Sequence, residues 1–285
     1  MDGVIEGVNV GGNCSGIPTP QGFAYFHDDY AGKPLVFVGT VGLIPREIHG
    51  KDATEHHIKA GDYIVMVGGR VGKDGIHGAT FSSVALDEGS PATAVQIGDP
   101  ITQKKLSDAI IKEARDRGLY SAITDNGAGG LSSSVGEMAE KTGGFVVDLE
   151  KVPLKYAGLA PWEIWISESQ ERMTLAVPEK DLEALLALFA KRDVEATVIG
   201  TFTDSGRAIV KHENTVMMDM AMDFLHDGIP VTPLKTSYTP IAHEREEIPV
   251  PEDYNQATKQ LLSSLNICSK SFKANFNGSF LLGTV

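Results

Sequence analysis

Between Gly61 and His212 short apolar runs alternate with longer amphipathic ones. DYIVMVGG is apolar from Tyr63 to Val67, which predicts a buried strand running into glycines. After Pro100, residues Ile101, Leu106, Ala109, Ile110 and Ala114 recur at helical spacing, and Gly118 stands where a terminator belongs. LYSAIT predicts a strand, LSSSVGEMAEKTG a helix stopped by Gly143 and Gly144, and FVVDLEKV and MTLAV two further strands. Pro178 opens EKDLEALLALFAKRD, where Leu182, Leu185, Leu186 and Phe189 share one face and charges the other. EATVIGTFT and RAIVKHE predict a closing pair of strands. This alternation predicts an α/β (α+β) domain over residues 35–213.

The flanks have a different texture. GGNCSGIPTPQG (Gly11–Gly22) carries too many glycines and prolines for a regular element and predicts an ordered loop. Lys33-Pro34 then gives way to LVFVGTVGLI, a strand-like run ending at Pro45. Beyond the domain, residues 214–260 are predicted to form a connector, punctuated by Pro230, Pro233, Pro240, Pro249 and Pro251. ATKQLLSSLNICSK predicts one short helix, and FKANFNGSFLLGTV a strand-like end. The chain has no internal repeat.

Charge narrows the partners. Lys and Arg number 25 against 38 Asp and Glu, a net charge of −13. A broad nucleic-acid footprint is excluded, because neutralising phosphates takes clustered cations; local pockets for small phosphates are not. Cys14 and Cys268 have no metal-type spacing and form no disulfide framework. No apolar run approaches the ~18 residues of a membrane helix, and the N-terminus lacks the pattern of a secretory signal. A cytoplasmic setting is expected.

Four stretches carry candidate chemistry. In GGRVGKDGIHGATFSS, Gly69, Gly72, Gly75 and Gly78 recur every third residue after a strand, so backbone could approach a ligand closely and its N–H groups could cradle phosphate. It is neither a P-loop, since Asp74 follows Lys73, nor a dinucleotide fingerprint; a surface loop is the plain alternative. In TDNGAGGLSSSVGEMA, Asp125 sits at a strand end before glycines and a helix start, a place where α/β proteins bind anions and their Mg²⁺. A turn aspartate would look the same. In PWEIWISESQERM, Glu168, Ser169 and Gln170 put a carboxylate, a hydroxyl and an amide side by side, flanked by Trp162 and Trp165. In VQIGDP, Asp99 suits a helix N-cap, whereas Gln96 in a strand-like context needs partners if buried.

Taken together, in this order and with these gaps, GGNCSGIPT, VGTVGLI, GGRVGKDGIHGATFSS, VQIGDP, TDNGAGGLSSSVGEMA, ESQERM and VIGTFTDSGR closely resemble the synthetase subunit family of phosphoribosylformylglycinamidine synthase. The resemblance runs from about Gly7 to Pro230. It implies an aminoimidazole-ribonucleotide-synthetase-like C-terminal domain, with a mixed sheet and packed helices. It also implies an ATP-dependent ligase of purine biosynthesis, converting formylglycinamide ribonucleotide and glutamine-derived ammonia to the amidine through an iminophosphate. By position, Gln96, Glu168, Ser169 and Gln170 resemble the family's substrate-binding residues and Asp125 its Mg²⁺ ligand. ATP and Mg²⁺ are the implied cofactors, and a glutaminase subunit and a small accessory subunit the implied partners.

The family's catalytic histidines, its ATP-contacting lysine and an early Mg²⁺ glutamate lie upstream of GGNCSGIPT. The chain is therefore expected to be a fragment: residues 1–34 a remnant of the upstream subdomain and 261–285 the beginning of the second half. No catalytic residue is expected within it, and open strand edges would invite self-association. Another synthetase of the superfamily, of the hydrogenase-maturation, selenophosphate or thiamine-phosphate kinase type, and a non-catalytic nucleotide-binding module are the competing readings.

Overall fold

Strand β3 (Tyr63–Gly68) lies in the middle of the sheet and explains the two layers around it. Its side chains alternate: Ile64 and Met66 enter one apolar cluster, Val65 and Val67 another. The computed structural model describes residues 2–85, 89, 92–240 and 249–269. In it, β3 is joined by β4 (Ala122–Asp125), β5 (Phe145–Asp148), β6 (Arg172–Val177), β7 (Ala196–Phe202), β8 (Arg207–His212) and β9 (Thr215–Ala221). The order is β4-β6-β3-β7-β5-β8-β9. Every neighbouring pair is antiparallel except β5–β8, so the sheet is mixed. A separate two-residue pairing joins β1 (Glu47–Ile48) to β2 (Lys51–Asp52).

One face is covered by α4 (Gly130–Ala139) and α5 (Pro161–Ile166), through Leu131, Val135, Met138 and Ile164. The other is covered by α3 (Pro100–Ala109) and α6 (Glu179–Lys191), through Leu106, Ala109, Leu185, Leu188 and Phe189. Asp99 caps α3 by accepting hydrogen bonds from the N–H groups of Ile101 and Thr102, as the sequence predicts. The helix continues as a π-helical turn at Ile110–Ala114 and stops before Gly118, which has φ +66°.

Several expectations are corrected. β7 and β8 are not a pair, because β5 inserts between them and pairs with both. The sheet does not end at residue 213: β9 pairs with β8 along its length, and α7 (Met222–Asp227) follows with Met222 buried. LVFVGTVGLI forms no strand. Phe37, Val41 and Leu43 are exposed, and extended backbone without a pairing partner is not a strand. Helix α1 (Asp2–Ser15) extends through Gly11 and Gly12, so the irregular segment begins at Gly16, whose φ of +71° ends the helix. Trp165, beside the triplet, packs against the core and Phe145, with ring centroids 6.0 Å apart.

The chain divides into two compact units: residues 14–16 with 39–229, and residues 1–13, 17–38 and 230–285. The second contains most of α1, with Ile5 buried, and α8 (Tyr254–Ser263), where a short helix is expected. FKANFNGSFLLGTV lies outside the described residues apart from its sequence, as does part of the connector. Among the described residues no helix is long and apolar enough to cross a membrane.

Candidate functional site

Strand direction gathers the candidate residues. The register places Gly68, the last residue of β3, opposite Arg172, the first of β6, and Asp125, the last of β4, opposite Met173. The carboxyl ends of β3 and β4 and the segment leading into β6 therefore meet at one end of the sheet. These are the glycine loop, the Asp125 turn and the Glu168–Gln170 triplet.

Glu168 is the centre. Its side chain is buried, at 4% exposure, and its carboxylate takes donors from three separate stretches. Gln96 Nε2 donates to Oε2 at 3.0 Å, the Ala79 N–H to Oε2 at 2.9 Å, and the Gly129 N–H to Oε1 at 3.1 Å. Two of these donors are backbone amides that sequence reasoning missed, since an N–H has no residue-type signal. The close approach demands glycine: a Cβ on Gly78 would lie 2.8 Å from both Gln96 Nε2 and Glu168 Oε2. One on Gly130 would meet the Ser167 carbonyl oxygen at 2.1 Å, so α4 starts tight against the triplet.

The triplet's other members face elsewhere. Ser169 accepts from the Gly72 N–H at 3.0 Å and donates to Asp74 Oδ1 at 2.8 Å, so its hydroxyl is committed within the protein. Gln170 Nε2 donates to the Glu168 carbonyl at 2.9 Å, and the residue lines an open cleft of about 610 Å³ beside Gly69, Ile97, Lys155 and Glu171. Gln96 is held by Glu168 although the residue is largely exposed.

The glycine loop does not offer the free phosphate cradle that its spacing suggests. The N–H groups of Gly69, Gly75 and Gly78 donate to the carbonyls of Glu171, Thr93 and Gly75, and that of Gly72 to Ser169. Its cations are paired as well: Arg70 with Glu195, and Lys73 with Glu163 at 3.2 Å. The loop's role is to bring backbone against Glu168 and Gln96.

Asp125 is exposed, and its Oδ1 accepts from the Gly127 N–H at 2.8 Å. Among the described residues no cluster of three or more His, Cys, Asp or Glu side chains could hold a metal ion. A single carboxylate suits an Mg²⁺ whose remaining ligands come from phosphate and water. Beside it Asn126 is buried. Its Oδ1 accepts from Thr174 Oγ1 at 2.8 Å while its Nδ2 has no partner among the described residues. An orphaned buried donor costs about 1–3 kcal/mol.

Arg172 is the largest residue the sequence reading passed over. It is 3% exposed, and it donates from Nε to the Ser169 carbonyl at 2.6 Å and from Nη2 to the Ser167 carbonyl at 2.5 Å. Burial pulls its guanidinium down to about 10, opposed by the charge of Asp74. Its only signal was its place in ESQERM.

Comparison with known proteins agrees with this architecture. Residues 59–213 match the family model "AIR synthase related protein, C-terminal domain". The chain is 40% identical over 272 residues to the phosphoribosylformylglycinamidine synthase subunit PurL of Methanopyrus kandleri, covering 94% of this chain and 37% of the relative. It is 39% identical to that of Staphylococcus saprophyticus, with 95% and 37% covered. It thus spans little more than a third of the length of these relatives. Among solved structures, Thermotoga maritima PurL complexed with FGAR superimposes with a TM-score of 0.72 at 27% identity, covering 86% of this chain and 40% of that one. The same protein complexed with ATP gives 0.68 at 27% identity, covering 91% and 41%.

Proposed function

We infer the function from a settled premise, that the chain belongs to the AIR synthase related protein family through its C-terminal domain. We propose that it supplies the substrate-recognition part of a phosphoribosylformylglycinamidine synthase, the ATP-dependent ligase that forms formylglycinamidine ribonucleotide in purine biosynthesis. The substrate, formylglycinamide ribonucleotide, carries amides and hydroxyls, and a preset carboxylate and amides are the groups that recognise them. Glu168, Gln96 and Gln170 make these contacts, and Ser169 holds the segment in place. Asp125 would hold an Mg²⁺, which would supply charge neutralisation for ATP phosphates when bound. ATP would phosphorylate the amide oxygen, and ammonia would displace the phosphate from the iminophosphate. Glutaminase and small accessory subunits are the proposed partners, and the cytoplasm the proposed location.

One observation carries this reading: the buried Glu168 carboxylate gathers Gln96 and two backbone N–H groups from three distant stretches of chain. Calorimetric titration of the chain with formylglycinamide ribonucleotide tests it. Binding is expected, with Gln96→Ala and Glu168→Ala each weakening it about tenfold or more, since a hydrogen bond to a charged group contributes about 1.5–3 kcal/mol. Unchanged heats in both variants would remove the site assignment.

A further inference from the structure

Asp74 breaks the P-loop pattern of the glycine loop, and the recognition contacts above leave it without a role. It lies on the loop four residues before Gly78 and is 9% exposed. Its Oδ1 accepts from Ser169 Oγ at 2.8 Å, and its two oxygens accept from Lys155 Nζ at 3.0 and 2.9 Å. Lys155 is itself anchored to the same loop, because its N–H donates to the Val71 carbonyl at 2.8 Å. Ser167 Oγ donates to the Gly72 carbonyl at 2.7 Å, and Arg172 grips the carbonyls on either side of Glu168 from below. The loop and the triplet are thus stitched together on both flanks of Glu168, by groups that do not touch its carboxylate.

We propose that Asp74 is a positioning residue: through Ser169 and Lys155 it locks the glycine loop onto the triplet, so that the Ala79 N–H and Gln96 meet a Glu168 carboxylate already in place. Three features support a lock rather than general packing. Asp74 is paired with Lys155, a cation 81 residues along the chain, at 2.9 and 3.0 Å. A Cβ on Gly72 would lie 2.5 Å from Asp74 Oδ1, so the loop leaves room for this carboxylate and little else. The Ser169 hydroxyl has one proton, and Asp74 takes it while the Gly72 N–H fills the oxygen, which fixes the direction of the chain of bonds. Holding a recognition group this way lowers the ordering cost of binding.

The consequence for affinity rests on the reading of Glu168 as a substrate group, but the lock itself is tested without substrate. Amide hydrogen exchange of the chain is compared between wild type and Asp74→Asn, which keeps the shape and removes the charge. Lys155→Met is the second variant, should Asp74→Asn not fold. The Ala79 and Gly129 amides, both held by Glu168, are expected to exchange at least threefold faster relative to the core amides of Val65 and Leu175 than in wild type. A smaller relative change, including a uniform rise across all four, would overturn the proposal, since that is what general destabilisation produces. Titration with formylglycinamide ribonucleotide is run in parallel. If the exchange result holds and wild type binds no ribonucleotide, the function is wrong and the lock stands. If wild type binds and the exchange does not respond, the lock is wrong and the function stands.

Discussion

The two turns at the functional end of the sheet are built in opposite ways. The glycine loop after β3 is tied down: its glycine N–H groups have protein acceptors, Asp74 and Ser169 bond it to the triplet, and Arg172 grips the triplet from the core. The Asp125 turn after β4 is open. Its carboxylate is exposed, and the neighbouring Asn126 has an amide N–H without a partner among the described residues. Buried polar groups that are fully bonded fix one geometry, while an unpaired one carries a cost. The difference teaches that two neighbouring turns at one end of a sheet can differ in how far their polar groups are satisfied within the protein.

The largest effect should come from cutting the grip on the closed side. Arg172→Ala leaves two buried carbonyls without donors. At about 1–3 kcal/mol for each unsatisfied carbonyl, the loss is read as a fall in the urea midpoint at unchanged slope. Next is Gly78→Ala. The new methyl must displace Gln96 and the buried Glu168, so ribonucleotide affinity should fall about tenfold and stability by about 1–3 kcal/mol. On the open side, Asp125→Asn should leave ribonucleotide binding intact and weaken Mg²⁺-dependent ATP binding about tenfold, by titration with and without the ion. An equal loss of both ligands would erase the contrast between the turns.

Acid gives a smaller effect of known sign. Burial pushes the Asp74 carboxyl up, but the hydrogen bonds from Lys155 and Ser169 outweigh it and hold it below the ordinary carboxylate range. Its contribution is therefore complete above the unfolded value of about 3.9 and is lost as pH falls through the folded one. The acid limb of the stability curve should be shallower in Asp74→Asn than in wild type. The smallest effect is expected at Glu171, whose carboxyl burial pushes up and whose backbone sits at φ +59°. A raised carboxyl subtracts stability as pH rises through its range, so Glu171→Gln should raise the thermal midpoint slightly at neutral pH and not at pH 4.

Much of this was legible in the sequence. YIVMVG predicts a doubly covered strand, and it lies at the centre of the sheet. The periodicity of EKDLEALLALFAK gives α6 and its buried face. LVFVGTVGLI has the same apolar character and makes no strand, because strand formation depends on a partner that local pattern does not encode. Pairing order was hidden for the same reason, so β7 and β8 looked adjacent when β5 separates them. At the site, Gln96 drew notice as a polar residue needing partners, and the roles of Gln96 and Glu168 came only from the family resemblance. Asp74 had no such signal, since a carboxylate in a glycine loop reads as a broken motif until its partners, 81 and 95 residues away, are folded against it.

The most direct test of the central claim is a double-mutant cycle on ribonucleotide affinity with Gln96→Ala, Glu168→Ala and the pair. The two side chains are bonded at 3.0 Å, so the losses should be non-additive, with a coupling of about 0.5–3 kcal/mol. Strictly additive losses, or none, would contradict a shared recognition centre at this end of the sheet.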